Sequence, residues 1–533
     1  MKRALALAAV AALTTALAAC GGNTGETTGG TPHPGGTLRY GLSQAPTCPD
    51  PAQAGTNQTI YVDRQVVDSL TDQDPASGQP KPWLADSWQI GTDARSFTFH
   101  LRDGVTFGDG TPLTADSVGR TFDSIVRLGG AKAPLGASYL AGYTGSTVID
   151  PHTVRVDFDR PNSQFLQATS TPQLGILADA TTSKSAEDRC AAGAVVGSGP
   201  FTFADWKQGA SATLAKRAGY AWGSAVFATT GEPYLDRIQF TVIPESGVRV
   251  GSVSSGQLDA ASDVLPQDAA QVESAGGRVL NFTNPGIPFG LQPNVTRGPL
   301  RDPQVRKALQ TAIDRKELVD TVLGPQFKTA TSALASRTPG YVDHAADLTF
   351  DRARTTQTLD AAGWAPGPDG IRVKDGQRLS FSVLYASVFA GNQAILELVQ
   401  QQLKKSGIEL RLDQQAAAEY TARQNRKDYD ALYYNTTRAD GDILRTTFGL
   451  DQQNFNARGP IPDLDQVLGA ELATTDAAQR AGLIARAQQS VLDNGLWIPT
   501  IELSQAIGTA GSVADLKFEA SGRLQFHDAW LRQ

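Results

Sequence analysis

Residues 378–415 constrain the fold more tightly than any other stretch of the chain. RLSFSVLYA (378–386) reads as a strand, NQAILELVQQQLKKSG (392–407) as an amphipathic helix that stops at Gly407, and IELRLDQQ (408–415) as the next strand. A strand–helix–strand unit of this kind calls for a parallel or mixed α/β sheet. The alternation of helix and strand begins after residue 284. Asp302 followed by Pro303 marks a helix start, a cap and then proline at the first helical position, and Val305, Ala308, Leu309, Ala312 and Ile313 continue with helical spacing. YDALYYNT (429–436) reads as another strand, AAQRAGLIARAQQSVLDNG (477–495) as a helix and LWIPTIEL (496–503) as a final buried strand. Before residue 284 strands dominate. TLRYGL (37–42), SFTFHLRDG (96–104), TVRVDF, SATLAKR and DRIQFTVI are the clearest, with helices expected over 59–70 and from Thr114, a capping residue, into ADSVGRTFDSIVRL.

The 533 residues are enough for about three domains or subdomains. With 47 Lys+Arg against 54 Asp+Glu the formal charge is -7, which argues against a general nucleic-acid binder. No apolar run of membrane-spanning length follows the N-terminus. The N-terminus itself reads as an address. Lys2 and Arg3 precede the apolar run of residues 4–19, and Cys20 follows at once. Leu17-Ala18-Ala19-Cys20 resembles a bacterial lipobox, which implies a signal peptide over 1–19 and a lipidated Cys20; an ordinary signal peptide cut near Cys20 is the alternative. GGNTGETTGGTPHPGG (21–36) has almost no apolar content, so 20–36 is expected to be a flexible tether. Of three cysteines, Cys48 and Cys190 remain. In an exported protein they read as one disulfide closing a loop of about 140 residues, with two buried thiols as the alternative.

The chain carries no recognisable catalytic signature. Its five histidines show no metal-binding spacing, and there is no H-E-x-x-H, Walker loop or G-x-S-x-G elbow. Neither a metal nor a cofactor is expected. His100, alternating with Phe99 and Leu101 on a strand, reads as structural.

KPWLADSWQIGTDARSFTFHLRDGVTFGDGTPLTADSV (81–118) resembles the signature of family 5 extracellular solute-binding proteins, the peptide- and nickel-type receptors of ABC importers. VGSGPFTFADWKQG (196–209), SGQLDAA (255–261) and LRDPQVRKALQTAIDRKELV (300–319) extend the match from about residue 35 to the C-terminus. Gly108 departs from the family's usual F-H-D-G-T, at a turn. The resemblance implies a two-lobed α/β fold of the periplasmic-binding-protein type (type II, cluster C) with an extra subdomain on lobe I. Lobe I would take 37–283 and return at 497–533, and lobe II would take 284–496. Pro285 to Pro293 and Leu496 to Pro499 are the hinge candidates. The chain would be a monomeric, lipid-anchored receptor that closes over a peptide or peptide-like solute and presents it to a membrane permease. A non-peptide solute such as a metal chelate, sugar or specialised metabolite, a secreted hydrolase and a surface sensor are the rivals.

Ligands of open α/β sheets lie beyond the carboxyl ends of strands. YYNTTRADGDILRTTF (433–448) offers such a place, with Asn435 and Thr436 ending a strand and Arg438, Asp440, Asp442 and Arg445 following. Arg438 and exposed helix amides suit an anionic group, and Asp440 or Asp442 an ammonium. The alternative is that the arginines pair with these acids. In dipeptide- and oligopeptide-binding relatives an aspartate of this loop grips the peptide amino terminus; here Ala439 takes its place, with Asp440 next. Gln44, Ala45, Pro46 and Thr47 follow the first strand and should face the cleft. Tyr385 ends a lobe II strand, and Phe289 and Asn294 are expected near the hinge.

Overall fold

The computed structural model describes residues 30–386, 389 and 391–533. The expected signal peptide, Cys20 and residues 20–29 of the expected tether lie outside the described residues. Residues 33–36 correct the rest of that tether. They dock on the body: the His33 ring meets Trp530 edge-on at 5.6 Å, and the Gly35 amide donates to the Tyr234 carbonyl at 2.8 Å. One histidine and the backbone amides give this stretch partners that its composition does not announce.

Among the described residues the strands form a seven-stranded, a six-stranded and a four-stranded sheet, with smaller ones beside them. The seven-stranded sheet is built around Thr37–Leu42, which pairs in parallel with Arg237–Val242 and with Ala260–Ala261. Ser504–Thr509 lies antiparallel between Ala260–Ala261 and Arg278–Thr283. Thr37–Leu42, Ala260–Ala261 and Arg278–Thr283 therefore share one direction, and their carboxyl ends share one edge. The six-stranded sheet contains the strand–helix–strand unit. Ser380–Ala386 runs parallel to Glu409–Gln415 and to Ala431–Thr437, with the helix Asn392–Lys404 between. Gly286–Pro293 lies antiparallel between Ala431–Thr437 and Ile498–Glu502.

Each sheet has its own apolar core. Leu38, Tyr40, Phe240 and Ile507 centre the first, and Leu291, Leu309, Phe381, Val399 and Ile498 the second. Helix Pro303–Ala312 starts as its sequence implies. The Asp302 carboxylate accepts from the Gln304 amide at 2.9 Å, a cap that stabilises by about 1 kcal/mol. The four-stranded sheet Ala85–Ile90, Ser96–Leu101, Thr153–Phe158 and Tyr143–Asp150 forms the extra subdomain under helix Ala115–Lys132, with Phe97, Phe99, Phe122 and Phe165 in its core. Cys48 and Cys190 are joined by a disulfide.

The chain crosses between the two large sheets over residues 284–285 and again at 503. Here the structure corrects the sequence reading. Ile498–Glu502 pairs with Gly286–Pro293 in the second sheet, so the return to the first begins after Glu502 and not at 497. Leu496 to Pro499 and most of Pro285 to Pro293 are strand and core, not hinge. The two crossings lie side by side, the Asn284 amide donating to the Leu503 carbonyl at 2.8 Å. Gly286 is obligatory beside them: its φ is 112°, and a Cβ would stand 2.2 Å from the Thr436 carbonyl oxygen.

Asp68 joins the first lobe to the subdomain. It is buried and accepts from the Tyr220 hydroxyl at 3.0 Å and the Trp222 indole at 2.9 Å. Burial raises its carboxyl to about 6, against the lowering effect of these donors. The folded state therefore holds this proton more tightly than the unfolded chain does. The group's stabilisation is full below pH 4 and is lost as pH rises through about 6. Asp68→Asn removes that loss, because the Tyr220 hydroxyl accepts from the new amide while its carbonyl still serves Trp222. Urea unfolding at pH 4 and pH 8 should show the variant gaining on the wild type by up to about 3 kcal/mol across that interval. Parallel pH profiles would refute the assignment.

Candidate functional site

The carboxyl edge of the first sheet faces the second lobe. Ser43, Asp263 and Asn284 follow its parallel strands within two residues. Pro266 lies against Gly324 of the second lobe, 3.4 Å from the position of a Cβ there. Along this edge the Ser43 hydroxyl donates to Asp263 Oδ2, and Gln58 Nε2 donates to the same oxygen at 2.7 Å and to Ser43 Oγ at 3.0 Å. Arg249 sets this corner from behind. Its guanidinium donates to the carbonyls of Ile243, Pro244, Ser262 and Asp263 at 2.7–3.0 Å, which ties the loops after two parallel strands together. Burial lowers the Arg249 pKa, and the charge of Asp263 acts against that fall.

A second line of polar groups runs through the crossings. Tyr61 Oη donates to Gln505 Oε1 at 2.8 Å, Gln505 Nε2 to Asn284 Oδ1 at 3.1 Å, and Asn284 Nδ2 to Thr437 Oγ1 at 3.0 Å. Tyr61 belongs to the first lobe and Thr437 to the second, so this chain of bonds spans the hinge. Burial pushes the Tyr61 hydroxyl well above its ordinary value, which keeps it a donor.

The lobes also meet at the extra subdomain. Arg438 Nη1 donates to Gln164 Oε1 at 3.3 Å, and Nη2 to Ser138 Oγ at 3.1 Å. Its guanidinium stands 4.8 Å above the Tyr139 ring. Gln73 Nε2 donates to the Ala439 carbonyl at 2.9 Å, and the Ser163 amide to the Leu472 carbonyl at 3.0 Å. These are direct bonds between protein groups. Cavities of 670 Å³, along Arg352–Ala361, and 420 Å³, beside Lys328 and Glu502, are lined by second-lobe residues alone.

Two open sheets with carboxyl edges turned toward each other, joined by two short crossings, define a two-lobed clamp. The family model of bacterial extracellular solute-binding proteins, family 5, matches residues 79–454. The chain belongs to the family 5 bacterial extracellular solute-binding proteins. It is 26% identical over 475 residues to the probable D,D-dipeptide-binding periplasmic protein DdpA of Escherichia coli, covering 86% of this chain and 87% of that one. It is 28% identical over 422 residues to Protein XP55 of Streptomyces lividans, covering 77% and 74%. The fold matches NikA from Brucella suis in complex with Fe(III)-EDTA with a TM-score of 0.81 at 23% identity, over 93% of this chain and all of that one. A solute-binding receptor serving an importer outside the cytoplasm is the general role that membership carries.

In this family 5 receptor the residues singled out from sequence fall into three groups. The loop acids and arginines are spent on one another. Asp442 is fully buried and accepts from Arg445 at 2.6 and 3.1 Å and from Arg438 at 3.4 Å. Asp440 accepts from Arg480 at 2.8 and 2.6 Å and from the Asp442 amide at 2.8 Å. Burial opposes its ionisation, but Arg480 holds the carboxyl below its ordinary value. Glu471 bonds Arg480 at 3.0 Å, and burial together with Asp442 pushes its own carboxyl well up. Asp440 and Asp442 are thus internal counter-charges, which corrects the expectation of a free ammonium acceptor. Arg438 and Arg445 are likewise paired.

A second group is core. Phe289 stacks on Tyr433 at 5.4 Å inside the second lobe. Tyr385 is buried in the same core, its hydroxyl reaching Gln414 at 3.4 Å. Asn294 stands beyond the far end of its strand from the crossing, donating to the carbonyls of Lys427 and Tyr429. Phe289 and Asn294 are not cleft residues, because strand direction puts the apolar side of residues 286–293 into the core and residue 294 at the distal edge; Tyr385 packs in the core one residue from the carboxyl end of Ser380–Ala386. The third group lies at strand ends or just after them. Gln44 and Thr47 are exposed, Ala45 half-buried and Pro46 buried in the loop after the first strand, and Asn435 and Thr436 are half-buried next to the crossing. Ser43, Gln58, Asp263, Asn284 and Gln505 belong to the edge of the first sheet that faces the second lobe and were not singled out from sequence. Asp263 follows SGQLDAA by two residues and Ser43 precedes the Gln44 loop, so both stood beside segments already marked.

Proposed function

We propose that this receptor is tethered to the membrane through Cys20, captures a peptide or peptide-like solute between its lobes as a monomer, and delivers the closed complex to an ABC permease. The observation that carries the reading is the pair of facing carboxyl edges joined by two crossings of one or two residues. That layout lets two rigid bodies rotate about a few dihedrals and trap a guest between them. Closure needs only a higher affinity of the solute for the closed form, so no covalent chemistry is required.

A second reading, a metal chelate or another non-peptide solute, is favoured by one observation. The loop that grips the peptide amino terminus in dipeptide-binding relatives carries no free carboxylate here. The Brucella suis neighbour was solved with a chelate. Native mass spectrometry of the protein purified from its own host distinguishes the readings by the mass of the co-purified solute. Deleting the gene should abolish uptake of that solute by intact cells. Unchanged uptake would overturn the transport role, and cleavage of the bound molecule on incubation would replace it with a hydrolase.

A further inference from the structure

We infer that Asp263 is the anchor for a cationic group of the solute, an ammonium or a guanidinium. The inference rests on the receptor reading and names the chemistry of its site. Asp263 stands at the carboxyl edge of the first sheet, facing the second lobe, where a guest of the clamp would lie. Its Oδ2 is held by the two donors Ser43 and Gln58. Its Oδ1 has no hydrogen-bond partner among the described residues, and the side chain is half-buried, so this oxygen has room for one.

Among the described residues Asp263 takes part in no direct ion pair, whereas Asp440 and Asp442 are each bound by arginine. Arg249 acts on its charge through space only. That guanidinium is taken up by four carbonyl oxygens, and its bond to Asp263 goes to the backbone. The backbone of Asp263 sits at φ 53°, in the left-handed region that aspartate and asparagine enter more readily than other non-glycine residues. Arg249 and the Ser43–Gln58 pair hold it there. The result is a preorganised acceptor with one oxygen fixed and one open, which suits a charge-assisted bond to a cation. A purely structural role would need the two donors alone and would leave the second oxygen idle.

The test uses matched probes that differ by one charge: trialanine against N-acetyl-trialanine, Ala-Lys-Ala against Ala-norleucine-Ala, and putrescine against 1,4-butanediol. Binding is measured by titration calorimetry on the wild type and on Asp263→Asn. Asparagine tolerates the same backbone and still accepts from Ser43 and Gln58, and a thermal melt confirms that the variant is folded. Ser43→Ala serves as a second variant that loosens the carboxylate without removing its charge. The cationic member of at least one pair should bind the wild type about 10- to 100-fold more tightly than its twin. That preference should vanish in Asp263→Asn and shrink in Ser43→Ala. A preference that survives in Asp263→Asn, or equal binding of neutral members, would overturn the anchor and leave the receptor reading standing. Failure of every cationic probe to bind the wild type would also overturn it. The uptake assay on intact cells then shows separately whether the receptor reading falls too.

Discussion

Asp442→Ala should destabilise the second lobe by about 3–5 kcal/mol, the loss typical of removing one partner from a buried ion pair. The side chain is fully buried and anchors two guanidiniums, one of which is almost as deeply buried as itself. Alanine would strand both charges, because the remaining acids Asp440 and Glu471 are already committed to Arg480. Asp442→Asn should lose less, because an amide oxygen still accepts from Arg445. Urea unfolding followed by circular dichroism measures the difference. The variant should also weaken the contact with the extra subdomain, since Asp442 helps to orient the Arg438 guanidinium that meets Gln164, Ser138 and Tyr139. A loss below about 1 kcal/mol would mean that solvent reaches the cluster and screens it.

Removing the Cys48–Cys190 link should have an effect of the same order. The two residues are 142 apart in sequence. Closing a loop of that length restricts the unfolded chain enough to stabilise the native state by about 3–5 kcal/mol. The neighbourhood supports the same contact without the bond: Asp50 pairs with Arg189 at 3.5 Å, and Gln53 donates to the Ala186 carbonyl at 2.9 Å. The Cys48→Ser, Cys190→Ser double variant should therefore fold and bind solute but unfold at a clearly lower urea concentration. Identical transitions for the oxidised and reduced wild type would show that the link contributes nothing measurable.

Local pattern carried most of the secondary structure, and long-range pairing carried what it missed. The Asp302-Pro303 start, the helix before Gly407 and the strands on either side of it lie within a few residues of where periodicity and capping place them. The second-lobe boundary is read six residues early because LWIPTIEL looks the same whichever sheet receives it. Its partner, Gly286–Pro293, is some two hundred residues away. The candidate site divides along the same line. Sequence locates the loop after Thr437 but not Arg480 or Glu471, which come from helices far along the chain and consume its acids. Asp263 carries no pattern of its own. Its prominence comes from parallel pairing that puts residues 43 and 263 side by side, and from an arginine that spends itself on carbonyls.

Residues 33–36 lie against the same lobe that receives the last thirty residues, and the first strand is threaded into its sheet. A leash attached upstream of residue 30 would therefore pull on that lobe alone. With such an attachment, the first lobe would be a floor held in place and the second a roof free to lift and fall. A spin label or fluorophore on the second lobe should accordingly report the larger excursion relative to a surface to which the N-terminus is fixed.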